Sequence, residues 1–229
     1  MRYKILFTSK NNYDLLENWI KKFSNGNLPG IINLDLGSKN THYVSGKKIC
    51  KKYNITFIEA ERTEFQENIK QTFNHLSKLN IDYLLYLHQD CFPIEVDTFD
   101  KINDLIDNYQ VSDFGCIGFN VYHDIEIKKL DKANLIPMTT SRCILQKGNG
   151  YYMRYPKGSK VNYKKFKKDQ PFKAENVMWT ALLLSQKSFF KNIKIDRRFN
   201  FFLSPDDMAY QFLSKGINNV VFPNIHFIH

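Results

Sequence analysis

The six residues from Tyr83 to His88 read Tyr-Leu-Leu-Tyr-Leu-His, an apolar run of strand length that stops abruptly at His88, Gln89 and Asp90. Apolar residues without alternation suit a strand covered on both faces, as inside a parallel α/β sheet. Such sheets bind ligands beyond the carboxyl ends of their strands, so the polar group that ends this run marks the place for chemistry. Asp90 is the leading candidate; its plainer reading is the start of a turn before Pro93.

The chain repeats strand, loop and helix on either side of that run. Lys4 to Thr8 reads as a first strand, and behind the polar loop Ser9 to Asn12 the residues Leu16, Trp19, Ile20 and Phe23 have helical spacing. A second strand at Ile31 to Leu36, a lysine-rich helix at Val44 to Tyr53 and a third strand at Ile55 to Ile58 follow. Glu64 to Leu79 is the clearest helix, with Phe65, Ile69, Phe73 and Leu76 in one stripe and Asn68 along its edge. After Pro93 a helix is expected to turn Phe99, Ile102, Ile106 and Tyr109 inward. This alternation predicts an α/β fold: a mostly parallel twisted sheet with right-handed crossovers and helices on both faces.

The second half is less regular. Gly115 to Tyr122 reads as a strand, but Asp124 to Lys173 has no sustained period and carries the turn signals Gly148-Asn149-Gly150 and Pro156-Lys157-Gly158. Met178 to Leu184 suits a helix or a strand, with further ordered segments at Phe189 to Ile195 and Phe199 to Leu203. Asp206 and Asp207 open a short helix closed by Gly216, and Val220 to His229 is the last strand.

A chain of 229 residues buries roughly 70 to 75% of its unfolded surface and needs no covalent staple. The four cysteines form no C-x-x-C pair, which argues against a zinc site or a disulfide framework and suits reduced thiols in a cytosolic protein. Ile5 to Phe7 is too short an apolar run for a signal peptide and nothing approaches a membrane span, so a soluble cytoplasmic protein is expected. A net charge of +10 favours an anionic partner: a nucleotide diphosphate, an anionic membrane surface or nucleic acid. No G-x-G-x-x-G or Walker-type loop follows the first strand, which argues against Rossmann dehydrogenases and P-loop enzymes.

Four segments, taken in order, resemble the GT-A glycosyltransferases, most closely the family 2 type that includes bacterial rhamnosyltransferase-like enzymes. Leu34-Asp35-Leu36-Gly37-Ser38-Lys39-Asn40 is similar to that family's V-D-[DN]-G-S-x-D segment, and Leu87-His88-Gln89-Asp90 with Pro93 to its L-D-x-D-x-x-P motif. Asp206-Asp207 ahead of Lys215-Gly216 resembles its acidic E-D motif, and Pro223 to His229 its closing P-x-x-x-x-x-H strand. The resemblance spans nearly the whole chain and implies one domain over residues 1–229. Residues 1–122 would bind the nucleotide sugar; residues 123–229 would supply the acceptor site and the catalytic base.

The resemblance implies that Asp35 contacts the base or ribose and that Asp90 holds a metal bridging the diphosphate, with His229 completing that site. Thr8, Ser9, Ser38, Asn68, His88 and Gln89 would complete the donor site. Asp207 would be the general base for an acceptor hydroxyl, with Asp206 beside it as the other candidate. His88 stands where the family has the first aspartate of its D-x-D motif; imidazole ligates Mn²⁺ but suits Mg²⁺ poorly, so the Mn²⁺ or Mg²⁺ that the resemblance implies is not expected to be a strict requirement, and the +10 chain would supply part of the charge neutralisation. Residues three apart in a strand face opposite ways, so His226 is expected to be structural if His229 serves the site. Asp35 also suits a turn former before Gly37, Asn68 a polar interruption of its helix, and Asp206-Asp207 an ordinary helix start. The basic, aromatic stretch Tyr151 to Lys173 reads as a lid over donor or acceptor, or as a solvated loop.

The expected partners are a nucleoside diphosphate sugar and a saccharide, lipid-linked or protein acceptor, with peripheral contact to an anionic membrane and no nucleic acid. The expected activity is transfer of a hexose or deoxyhexose, with inversion, in surface polysaccharide or glycoconjugate synthesis. Two alternatives stand beside it: a non-catalytic protein of the same fold binding nucleic acid or an anionic surface, and a sugar nucleotidyltransferase.

Overall fold

The structure is a computed structural model that describes residues 2–23, 28–122, 145–147, 150–152, 171–174, 176–177, 179–199 and 204–229. In chain order its elements are β1 (Tyr3–Ser9), α1 (Tyr13–Phe23), β2 (Ile31–Asp35), α2 (Asn40–Lys52), β3 (Thr56–Glu59), α3 (Phe65–Leu76), β4 (Tyr83–Leu87), β5 (Phe92–Pro93), α4 (Thr98–Asn108), β6 (Ile117–Tyr122), β7 (Leu145–Lys147), β8 (Gly150–Tyr152), β9 (Phe172–Ala174), β10 (Ala181–Ser185), α5 (Gln186–Asn192), α6 (Ser204–Ser214) and β11 (Asn219–Ile228). The strands form one sheet in the order β3-β2-β1-β4-β10-β6-β11-β9-β7-β8, with β5 paired to β11.

β1 to β4 run parallel, in the order 3-2-1-4, with helices as crossovers. All five residues of β4 are buried, as its unbroken apolar run requires. Tyr3, Ile5, Phe7, Leu85 and Leu87 face one side, where α1, α2 and α4 pack through Leu16, Trp19, Ile49, Phe99 and Ile102. Leu6, Ile32, Leu34, Leu84 and Tyr86 face the other, under α3, α5 and α6, where Phe65, Ile69, Phe73 and Leu76 form the buried stripe of α3. The alternation of side chains along each strand thus feeds two separate cores.

Several expectations change. The segment that suited helix or strand is β10, an antiparallel strand buried at mid-sheet between β4 and β6. Its Leu182 and Leu184 serve one core and Leu183 the other, so no polar alternation betrayed it. Tyr109 is not inward: α4 ends at Asn108, and the residue is 47% exposed, its ring in a T-shaped contact with Phe222. α2 begins at Asn40, four residues before Val44, which is itself half exposed. Leu145–Lys147 and Gly150–Tyr152 pair as β7 and β8 and reach the sheet through β9, while the turn signal's Gly148 and Asn149 lie outside the described residues. The expected lid lies outside the described residues apart from 151–152 and 171–173, as do residues 200–203 and Cys143. Cys50, Cys91 and Cys116 are buried thiols, and burial pushes all three pKa values up. No helix among the described residues is long and apolar enough to cross a membrane.

Candidate active site at the carboxyl ends of β1, β2 and β4

The loops after β1 and β2 are laced into one surface. Asn11, in the left-handed region at φ 63°, donates its N–H to Ser38 Oγ (2.9 Å), and its Oδ1 accepts the Lys39 N–H (2.8 Å). Gly37, at φ 80°, makes the tight turn that lets Ser38 N–H reach back to Asp35 Oδ2 at 3.1 Å. Tyr13 from α1 donates its hydroxyl to Asp35 Oδ1 at 2.6 Å. Asp35 is therefore 3% exposed, with a proton donor on each oxygen.

Burial raises the Asp35 pKa, but the bonds from Ser38 and Tyr13 more than reverse this and leave the carboxyl below its ordinary value of 3.8. A carboxylate with a depressed native pKa adds stability above its unfolded value and loses it as pH falls through the native one. Urea unfolding should thus show stability falling on acidification below about pH 4, with Asp35→Asn flattening that part of the curve. A second outcome follows from α2: a Cβ at Gly46 would lie 2.2 Å from the Tyr13 ring. Gly46→Ala should lower the melting temperature despite its better helix propensity, because overpacking costs about 1–3 kcal/mol against a propensity gain of about 1. A rise in melting temperature would show that Tyr13 is free to move.

Beneath these loops Gln89 donates its amide to Ser9 Oγ, which donates to Asn33 Oδ1 at 2.5 Å. Thr8 shares a 3.1 Å hydrogen bond with Tyr86. Ser9, Gln89 and Asn68 are each at most 4% exposed, so these expected donor contacts lie under the surface.

His88 and Asp90 project from the turn that Gln89 anchors. His88 N–H donates to the Thr180 carbonyl (3.0 Å), Cys91 N–H to the His88 carbonyl (3.0 Å), and the Trp19 indole to the Cys91 carbonyl (2.8 Å). The end of β11 meets this turn. Pro223 donates no ladder bond, and Pro223, Asn224 and Ile225 fall out of register between Phe222 and His226, while Asn120 donates its amide to the Pro223 carbonyl. Re-paired with β5 beyond the bulge, the strand delivers His229 to Asp90, Nε2 to Oδ1 at 3.3 Å. His88 Nδ1 lies 3.9 Å from the same oxygen. His226 points elsewhere, to Glu95 at 2.5 Å.

The ligand atoms of His88, Asp90 and His229 all lie within 4.8 Å of one another. Burial, then the neighbouring His229, hold the His88 imidazole down to about 4 against the pull of Asp90. The hydrogen bond from His229 keeps the Asp90 carboxyl below its usual range although burial opposes it. Near neutral pH His88 offers a lone pair and Asp90 a full charge. Two imidazole nitrogens with one carboxylate suit a borderline divalent cation better than Mg²⁺. Trp179, which the sequence pattern did not flag, closes one side with its ring 4.5 Å from His88.

Phe65, the first residue of α3, packs its ring in T-shaped contacts with Tyr86 and Trp179. The next residue, Gln66, donates to Asp207 Oδ2 at 2.8 Å. Asp206 is exposed and accepts the amide of Asn176. A groove of about 390 Å³ follows the outer face of α3 past Arg62, Lys70 and Arg197, and its lining includes no residue of the His88 cluster.

No family model and no curated protein matches this sequence. Solved structures do. GalNAc-T7 with UDP, GalNAc and Mn²⁺ superposes with a TM-score of 0.67 at 12% identity, covering 100% of this chain and 44% of that one. The fold is that of the GT-A glycosyltransferases. The mannosyltransferase PcManGT from Pyrobaculum calidifontis, with GDP-Man and Mn²⁺, gives 0.64 at 8% identity over 100% of this chain and 56% of its own. S. aureus TarS 1–349 gives 0.58 at 10% identity over 100% and 60%. A cytidylyltransferase from Leptospira borgpetersenii shares the fold at 0.54 and 11% identity over 98% and 76%. The chain spans about half the length of the first two structures and 60% of the third.

Proposed function

We propose that this chain transfers a sugar from a nucleoside diphosphate sugar to an acceptor hydroxyl. The observation that carries the reading is the convergence of His88, Asp90 and His229 at the end of β4. The donor would lie over the laced loops, with Thr8 and Ser38 toward the nucleoside, Asp35 just beneath them fixing the turn through Tyr13 and Ser38, and Ser9, Asn68 and Gln89 buried below. A divalent cation held by His88, Asp90 and His229, Mn²⁺ in preference to Mg²⁺, would neutralise charge on the departing diphosphate. Residues 1–122 would form the donor half and residues 123–229 the acceptor half.

Asp207 takes the acceptor's proton as the acceptor oxygen bonds to the anomeric carbon. The carbon's bond to the diphosphate breaks with its electron pair leaving on the phosphate oxygen. Attack opposite the leaving group inverts the anomeric centre, as the family 2 resemblance implies. The likeness to a cytidylyltransferase rests on the shared sheet; the Ser9 to Asn12 loop lacks the glycine-rich, arginine-containing signature of nucleotidyl transfer. The same reading places the chain in the cytoplasm, near an anionic membrane face, in polysaccharide or glycoconjugate synthesis with a hexosyl or deoxyhexosyl donor.

The test is release of nucleoside diphosphate from a panel of UDP, GDP and dTDP sugars with Mn²⁺, Mg²⁺ or chelator. One donor class turned over with Mn²⁺ supports the reading. Turnover of none, with salt-sensitive binding of DNA, RNA or anionic vesicles instead, removes it.

A further inference from the structure

Gln66 is the second residue of α3 and is fully buried; its Oε1 has no partner among the described residues, so the bonds that hold the amide are those its nitrogens donate. Its backbone N–H donates to Ser204 Oγ at 3.2 Å. Its Nε2 donates to the Ser204 carbonyl at 2.9 Å and to Asp207 Oδ2 at 2.8 Å. The head of α3 is thereby tied to the head of α6. Asp207 Oδ2 accepts a second amide, Nε2 of Gln211, at 2.7 Å. Gln211 is itself fixed, donating to the Lys194 carbonyl (3.0 Å) and accepting the Lys194 N–H on Oε1 (2.8 Å). Two neutral amides, each anchored to separate backbone, converge on one oxygen of one carboxylate.

We infer that Gln66 is a positioning residue: with Gln211 it occupies Oδ2 of Asp207, so that Oδ1 is the atom that receives the acceptor's proton. This rests on the reading of Asp207 as the base. A base acts only within about 2.6–3.2 Å of the proton it takes, and a displacement of about 1 Å costs up to 10²-fold in rate. A carboxylate held by a single contact swings about its Cβ–Cγ bond; one held from two directions does not. In the transfer step the acceptor O–H bond breaks, the proton goes to Oδ1 and the electron pair stays on the oxygen that bonds to the anomeric carbon. Tying two helices together requires only the Ser204 bonds, and the third bond, to Asp207, is the one with a chemical consequence.

The experiment uses Gln66→Met, which keeps length and bulk but removes the amide donors, and reads nucleoside diphosphate released to water from the donor sugar that raises the melting temperature most. The expected result is a kcat lower by about 10- to 100-fold with donor KM within about twofold. In an Asp207→Asn background the same change should cost nothing further, because Gln66 acts through that carboxylate. Ser204→Ala removes the Oγ tie without touching Asp207 and should lower the melting temperature while leaving kcat in place. Full kcat in Gln66→Met, an equal further loss in the Asp207→Asn background, or a matching kcat loss in Ser204→Ala overturns the inference. Full turnover in Asp207→Asn overturns both this and the base assignment, a result distinct from one that removes Gln66 alone.

Discussion

Replacing Asp207 by asparagine should lower turnover by about 10²- to 10⁴-fold, the range for a lost general base, while donor affinity holds within about twofold. The substitution is nearly isosteric. Asparagine can present its carbonyl oxygen where Oδ2 now accepts from Gln66 and Gln211, so the junction of α3 and α6 keeps its bonds. What it cannot do is take a proton with the amide nitrogen that then stands in place of Oδ1. Initial rates and donor titration on wild type, Asp206→Asn and Asp207→Asn check this. If Asp206→Asn loses turnover and Asp207→Asn keeps it, the base is the exposed neighbour; if both keep it, no carboxylate of α6 is the base.

The second large effect belongs to the metal cluster. Asp90→Asn removes its only anionic ligand, and His229→Ala removes the arm delivered by β11. Loss of a partner that merely orients a ligand costs about 10- to 100-fold in metal affinity. Loss of a ligand should therefore exceed about 100-fold for Mn²⁺, with turnover falling in parallel. His226→Ala is the control from the same strand, because His226 faces Glu95 across the pleat and should leave Mn²⁺ affinity unchanged. Equal weakening in His226→Ala would mean that the end of β11, rather than His229, carries the effect.

The parts of this site that were legible in the sequence are those set by local rules. The run Tyr83 to Leu87 has the length and unbroken apolar character that suit a strand buried on both faces, which β4 is, and the polar residues after it emerge at its carboxyl end. The side-chain period of two separated His226 from His229, which the structure places at different partners. Gln66 was hidden for a different reason. It sits in the first turn of α3 beside the apolar stripe, and its partners Ser204 and Asp207 lie 138 and 141 residues away. The bulge at Pro223 and the antiparallel entry of β10 arise from pairing between distant strands, which no local period records. Trp179 follows no helical or strand period either, and only the fold sets its ring against His88.

The most direct test of a metal-bridged nucleotide site is calorimetric titration of UDP, GDP and dTDP into the chain with Mn²⁺, with Mg²⁺ and with chelator. The expected result is that one of the three diphosphates binds with Mn²⁺ at least about tenfold more tightly than with Mg²⁺ or chelator, and that Asp90→Asn and His229→Ala each abolish the difference. Binding that ignores the chelator, or that survives both substitutions unchanged, would contradict the assignment of His88, Asp90 and His229 as the diphosphate's metal site.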